Sequence, residues 1–360
     1  MITIIGAGIA GLSLAWELTK RGAEVTVLEA GTVASGASGV ATCYLEPRLG
    51  DTPMRRLERA SLSAWPDFVA VLEAESGTRV GFRDAGQLRV ALPADVEQLE
   101  TNTAERKAEG TPFQRLAVTD AIAREPAISH AIGSAVFLPH VRWVNGRLVC
   151  TALARALRAR GAVVLEHASV AKIEEAGVVS ADGRRVNHEK LVLCNAMGAN
   201  ALFGRPADMP EARAVRGVNL VLDMSGLGEP IRHMIKHRSG NMVPADETRL
   251  IVGTTYEAGV ESLDVDPSVI ERLYAHAEPI LPGVRDLPLI EVNAGLRTKV
   301  ADGKVRLGRS KISPDVYFSL GHAGSGYLRA PVIAPGFARY ILDGEVSDDL
   351  TGVIPGTAAN

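Results

Sequence analysis

The sequence predicts an α/β protein that opens with a Rossmann-like dinucleotide-binding unit. Three observations predict it: an uncharged β-branched run at the start, a glycine-spaced turn directly after it, and a second apolar run ending on an acid. Met1 to Ile5 carries no charge and reads as a buried parallel strand. Gly6-Ala7-Gly8-Ile9-Ala10-Gly11 follows at once, and Leu14, Ala15 and Leu18 then share one face of a helix reaching Arg21. Gly22 closes that helix, and Ala23 to Leu28 forms the second strand, followed by Glu29 and Ala30. Glu29 follows Gly11 by 18 residues, close to the ~20 of a dinucleotide fingerprint.

The residue types fit that chemistry. Gly6 permits the tight turn, Gly8 lets backbone N–H groups approach a pyrophosphate, and Gly11 lets helix and strand pack closely. The helix N-terminus adds partial positive charge, and a carboxylate at the end of the second strand accepts from ribose hydroxyls. An acid at position 29 argues against a 2′-phosphate, which leaves FAD or NAD.

Composition narrows the remaining classes. At 360 residues the chain suggests about two domains. Its 46% apolar and 22% charged content is that of an ordinary globular protein. A net charge of −3 provides no global field for a phosphate backbone, so nucleic acid is not expected as a partner. Three scattered cysteines, Cys43, Cys150 and Cys194, fit a reducing compartment better than a disulfide framework or zinc site. The N-terminal apolar run lacks a basic n-region and a cleavage site, and no run of 18 apolar residues occurs. A cytoplasmic protein with no membrane span and no metal is therefore expected.

Three further segments favour FAD over NAD. Ala34 to Gly39 is a run of small residues including Ser35 and Ser38, and Val40-Ala41-Thr42-Cys43-Tyr44 follows it. A loop so poor in side chains lets backbone lie against a flat ligand. Mid-chain, a strand at Leu191–Cys194 ends in Asn195-Ala196-Met197-Gly198, after another strand around Val170. Near the C-terminus, a strand at Val316–Leu320 leads into Gly321-His322-Ala323-Gly324-Ser325-Gly326 and a helix from about Tyr327 to Leu342. This last turn aims a helix dipole at a ligand. No second G-x-G-x-x-G opens a βαβ unit, so electrons are expected to enter from an organic substrate and leave to oxygen or another acceptor.

These motifs, with Gly295-Leu296-Arg297, Val243-Pro244, Leu250-Ile251-Val252-Gly253 and the segment through Pro331, resemble the D-amino acid oxidase superfamily. The resemblance covers nearly the whole chain. Its nearest branch is the bacterial glycine oxidases of thiamine biosynthesis, with sarcosine oxidases nearby. It implies a Rossmann-like FAD domain of the glutathione-reductase type with a discontinuous antiparallel-sheet α+β substrate domain. The FAD domain would take 1–80, 146–206 and 299–360, and the substrate domain 81–145 and 207–298. Non-covalent FAD would lie against Gly6, Ala7, Gly8, Ile9, Ala10, Gly11, Glu29, Ala30, Ser35, Ser38, Ala41, Thr42, Cys43, Val170, Asn195, Gly198, Gly324, Ser325, Gly326, Tyr327 and Leu328.

The implied activity is oxidative deamination of a small amine or amino acid of the glycine, sarcosine or D-amino acid class. Hydride would pass from the substrate α-carbon to flavin N5, the imine would hydrolyse, and O2 would leave as H2O2. Arg297 falls on the position that binds substrate carboxylate, and a guanidinium suits bidentate carboxylate recognition. Asn241 stands where that branch places a carboxylate-contacting tyrosine, and Gly324 replaces an arginine. Tyr256 is a candidate to replace the lost hydroxyl, Arg329 to restore the charge, and His322 to lie near the flavin. Two alternatives stand beside the oxidase: a dehydrogenase passing electrons to a quinone or partner protein, and a non-catalytic FAD-binding maturation partner. A homo-oligomer is a further possible assembly.

Overall fold

The computed structural model describes residues 1–357; of the third segment expected for the FAD domain, 358–360 lie outside the described residues. β1 (Ile2–Ile5) is wholly buried, as its uncharged side chains require. It feeds through the glycine turn into α1 (Ile9–Lys20), whose N-cap Gly8 is extended at ψ −179°. β2 (Val25–Leu28) then pairs with β1 in parallel.

These elements belong to a six-stranded sheet. From edge to edge it runs Arg306–Arg309, Val316–Leu320, Lys190–Leu193, β1, β2 and Val163–Leu165. Every neighbouring pair is parallel except Arg306–Arg309 with Val316–Leu320. The strand beside β1 thus comes from mid-chain, and the next from near the C-terminus. On one face, Leu12, Leu14 and Leu18 of α1 pack with Leu153 and Leu157 of helix Gly146–Ala159 and Phe337 of helix Gly326–Asp343. The exposed positions of Gly146–Ala159 include Arg147, Arg155 and Arg158, which leaves an apolar inner face. The other face buries Ile5, Leu28, Leu193 and Phe318.

A nine-stranded sheet is built from 87–138 and 213–299. Its long pair, Arg213–Asp223 with Leu289–Lys299, is antiparallel, and so are its other pairings except Met234–His237 with Gln87–Ala91. Leu220, Leu250 and Ile235 bury one face beneath helix Pro267–Ala277. The opposite face turns toward the small-residue segment ending at Val40, where Asn219 Nδ2 donates to the Val40 carbonyl at 2.7 Å.

Candidate active site

The glycine turn is shaped by close approach. Gly6 has φ +106°, and a Cβ there would lie 2.7 Å from the Cys194 carbonyl oxygen. A Cβ on Gly11 would meet the Gly6 carbonyl oxygen itself. Ser38 Oγ accepts from the Ile9 amide at 3.0 Å, tying the small-residue loop to the first turn of α1. At the end of β2, Glu29 accepts from the Ala7 amide at 2.8 Å and the Gly31 amide at 2.9 Å.

These groups open on a cavity of about 490 Å³. Gly6, Gly8, Ile9, Ala10, Glu29, Ala30, Ser35, Ser38, Ala41, Thr42 and Cys43 line it from the start of the chain. Val170, Asn195 and Gly198 line it from the middle, and Arg297, His322, Gly324, Gly326 and Tyr327 from the end. The Tyr327 hydroxyl lies 2.9 Å from the carbonyls of Ser38 and Gly146, so one side chain joins three distant segments. Burial raises the Cys43 thiol and pushes Cys194 up to about 12, so both are neutral thiols.

The walls fit FAD. A carboxylate stands where ribose hydroxyls would be read, and the first turns of α1 and of helix Gly326–Asp343 both line the space between. The side-chain oxygen of Asn195 is buried at the cavity without a partner, a polar group left for a ligand.

Six of the expected positions lie off the cavity wall. Ala7, Gly11, Ser325 and Leu328 do not line the cavity. Ala7 is buried and contributes through its amide to Glu29, while Gly11 packs on the Gly6 carbonyl. Ser325 stands at the N-cap position of its helix without a side-chain cap bond, and Leu328 turns into the core. Tyr256 is 61% exposed and accepts from Lys299 Nζ at the surface, so it does not face the cavity. Asn241 does not line it either; it sits farther along the sheet face, opposite Lys236 and Gly253.

Arg297 reaches into the cavity across Gly217, where a Cβ would lie 2.5 Å from its guanidinium. Its Nη2 donates to Thr254 Oγ1 at 2.7 Å and Nη1 to the Thr255 carbonyl at 3.1 Å. Among the described residues no carboxylate pairs with it. Burial presses its pKa below the ordinary arginine value, with Tyr44 and Tyr256 opposing, and the group stays charged. Arg329 does not restore the charge missing at Gly324. It is buried and neutralised by Glu58, and its Nη1 donates to the His322 carbonyl at 3.3 Å. His322 Nε2 lies 2.9 Å from Ser319 Oγ. Burial first, and Arg329 second, push its pKa down to about 3, so the ring is neutral.

Sequence reasoning missed Tyr44, Gly217 and Thr254, all of which line the cavity. Gly217 carried a usable signal: a glycine in mid-strand marks a close approach by another group. Tyr44, the one aromatic in a run of small residues, carried another. Among the described residues no His/Cys/Asp/Glu group could hold a metal, and no helix is long and apolar enough to cross a membrane.

A mostly parallel sheet with this glycine turn, a cavity assembled from three chain segments, and a half-buried arginine without a carboxylate partner define an FAD-dependent oxidoreductase. The chain belongs to the FAD dependent oxidoreductase (DAO) family, which matches residues 1–339. It is 30% identical to a glycine oxidase of Bacillus licheniformis over 354 residues, covering 96% of this chain and 94% of that protein. It is 25% identical to a glycine oxidase of Bacillus subtilis, covering 96% and 94%. The crystal structure of glycine oxidase from Geobacillus kaustophilus superposes with a TM-score of 0.90 at 22% identity, over 100% of this chain and 99% of that one.

Proposed function

We propose that this enzyme oxidises an amine bearing a carboxylate, in the glycine, sarcosine and D-amino acid class. The observation that carries the reading is the Arg297 guanidinium, half-buried at the cavity wall without a carboxylate of its own. A cation in such a place calls for an anion to offset its desolvation, and the planar fork suits a carboxylate. Two relatives of similar length named glycine oxidase support the same chemistry.

Bound FAD would supply the two-electron acceptor for the substrate C–N bond. Gly6, Gly8 and the α1 amides would hold its pyrophosphate, and Glu29 its ribose. Arg297 fixes the carboxylate and thereby the face that the α-carbon presents. Neutral His322 places no positive charge beside an incoming amine, and the small residues at 34–41 let backbone close over the flat ring. We assign the reacting face to the gap between Arg297 and the Gly321–Gly326 turn.

Further parts of the reading are that FAD is bound non-covalently, that O2 is the acceptor, and that the enzyme is cytoplasmic. The two sheets support a division into an FAD domain and a substrate domain at the boundaries expected from the sequence. Anaerobic titration of the holoenzyme with glycine, sarcosine and a D-amino acid panel tests the core of this. Bleaching of the flavin band by one of them is expected; a band unmoved by every carboxylate-bearing amine would overturn it. Reoxidation in air then tests O2, since a slow return favours a quinone or protein acceptor. Yellow colour retained after acid precipitation would contradict non-covalent binding.

A further inference from the structure

The face of the large sheet turned toward the cavity carries more positive charge than the Arg297 site uses. Arg89, Lys236, Asn241, Gly253 and Asn219 stand opposite one another on five neighbouring strands, so their side chains share one face. Asn219 reaches Val40 at the cavity, which fixes this as the cavity face. Asn293 continues the row, and Arg297, four residues farther along the same strand, projects on the same side.

At the far end of this row, Glu46 accepts from Arg89, from Arg106 at 3.0 Å and from Lys236 at 3.5 Å. One carboxylate faces three cations, which leaves two positive charges unmatched. Arg89 and Arg106 are buried, whereas the Lys236 side chain remains 30% exposed. Its ammonium lies 5.3 Å from the centre of the Tyr44 ring. Tyr44 lines the cavity, and its phenol lies near both Arg89 and Arg297.

We propose that the substrate carries a second carboxylate, on the arm beyond the reacting nitrogen, seated against Lys236 beside Tyr44. This rests on the amine-oxidising reading above and specifies its substrate class as a secondary amine with two acidic ends. Three strand steps of ~4.8 Å separate the backbone of Lys236 from that of Asn219, and two residues of ~3.3 Å lead along that strand to Gly217 beneath the Arg297 guanidinium, so the two lie roughly 16 Å apart. Two long side chains narrow that gap from both ends. The second carboxylate therefore stands several bonds from the first, and glycine itself is too short to reach it.

The test uses the holoenzyme and a series of N-carboxymethyl ω-amino acids with arms of increasing length. Each is paired with the same molecule ending in a neutral amide, and sarcosine serves as the short reference. In the wild type, one or more arm lengths should show a KM about tenfold lower for the acid than for the amide, the worth of one charge-assisted contact. Lys236→Gln should bring acid and amide within about twofold while sarcosine kinetics hold, and Lys236→Arg should keep the preference. Equal KM values for acid and amide in the wild type, or a preference unchanged in Lys236→Gln, would overturn the proposal and leave sarcosine oxidation standing. If Lys236→Gln fails to retain flavin, the wild-type pairs and Lys236→Arg decide. A flavin that no amine bleaches would overturn the amine-oxidising reading itself, and this inference with it.

Discussion

Arg329 and Glu58 form an ion pair at 2.6 Å with both side chains almost closed to solvent. The pair joins helix Gly326–Asp343 to helix Pro53–Ser76 behind the Gly321–Gly326 turn. Burial works against ionisation of Glu58, but Arg329 and then Arg55 outweigh it and hold the carboxyl below its ordinary range. Glu58→Gln would leave a buried guanidinium without its counter-charge, a loss of about 3–5 kcal/mol. Denaturant unfolding of the holoenzyme should show it, and a loss below about 1 kcal/mol would mean that Arg55 and Arg329 relax into water.

Arg297→Met removes the carboxylate anchor while keeping the bulk over Gly217. Steady-state kinetics should show KM for a carboxylate-bearing amine raised about ten- to a hundredfold, the worth of a charge-assisted contact. The flavin spectrum should not change. A KM within twofold of wild type would remove Arg297 from substrate binding.

Gly11→Ala drives a methyl group into the Gly6 carbonyl, which is backbone and has nowhere to move. The variant should purify with little or no bound flavin, read from the ratio of visible to 280 nm absorbance. Full occupancy would show that α1 shifts away from β1 without disturbing the turn.

Tyr256→Phe should leave kcat/KM almost unchanged, because the hydroxyl lies at the surface on Lys299. A large fall would indicate that Tyr256 swings inward when substrate binds.

Acid should destabilise the fold through two histidines. Burial, then Arg329, depresses His322 to about 3, and burial, then His276, depresses His237 to about 4. Both rings are neutral when folded, while the unfolded chain begins to take up protons near the ordinary value of 6.5. Their contribution is therefore complete above pH 6.5 and falls as the pH drops, down to about 4 for His237 and about 3 for His322. Each pH unit crossed costs up to about 1.4 kcal/mol per ring. Tm measured from pH 7.5 to 4.5 should decline, with a shallower slope in His237→Asn; a flat profile would mean that the rings reach water in the native state.

The nucleotide half was legible because its signals are local. The turn from Gly6 to Gly11, the acid at 29 and the strand at Val316–Leu320 lie within a few residues of the elements that they define. The substrate end was much less so. Tyr256 lies just beyond a strand whose family position suggested the pocket, yet the chain there turns its ring outward onto Lys299. Arg329 was legible as buried only once Glu58, 271 residues away, was known to meet it. Long-range pairings of this kind leave no periodic trace in the sequence. The charge row from Arg89 to Lys236 likewise depends on a parallel pairing between distant strands.

The placement of β1 between β2 and Lys190–Leu193, with Val316–Leu320 beyond, also fixes when the nucleotide site comes into being. During synthesis the glycine turn emerges first, but the mid-chain strand beside β1 is about 185 residues away and the final wall about 315. A nascent chain therefore exposes an apolar β1 for most of its translation, with half of its sheet still unmade. Flavin capture would be a late, post-translational event, and a chain stopped before the Gly321 turn would fail to retain the dinucleotide despite an intact fingerprint. Cofactor content in such truncations would report when the chain closes rather than how well its first thirty residues are built.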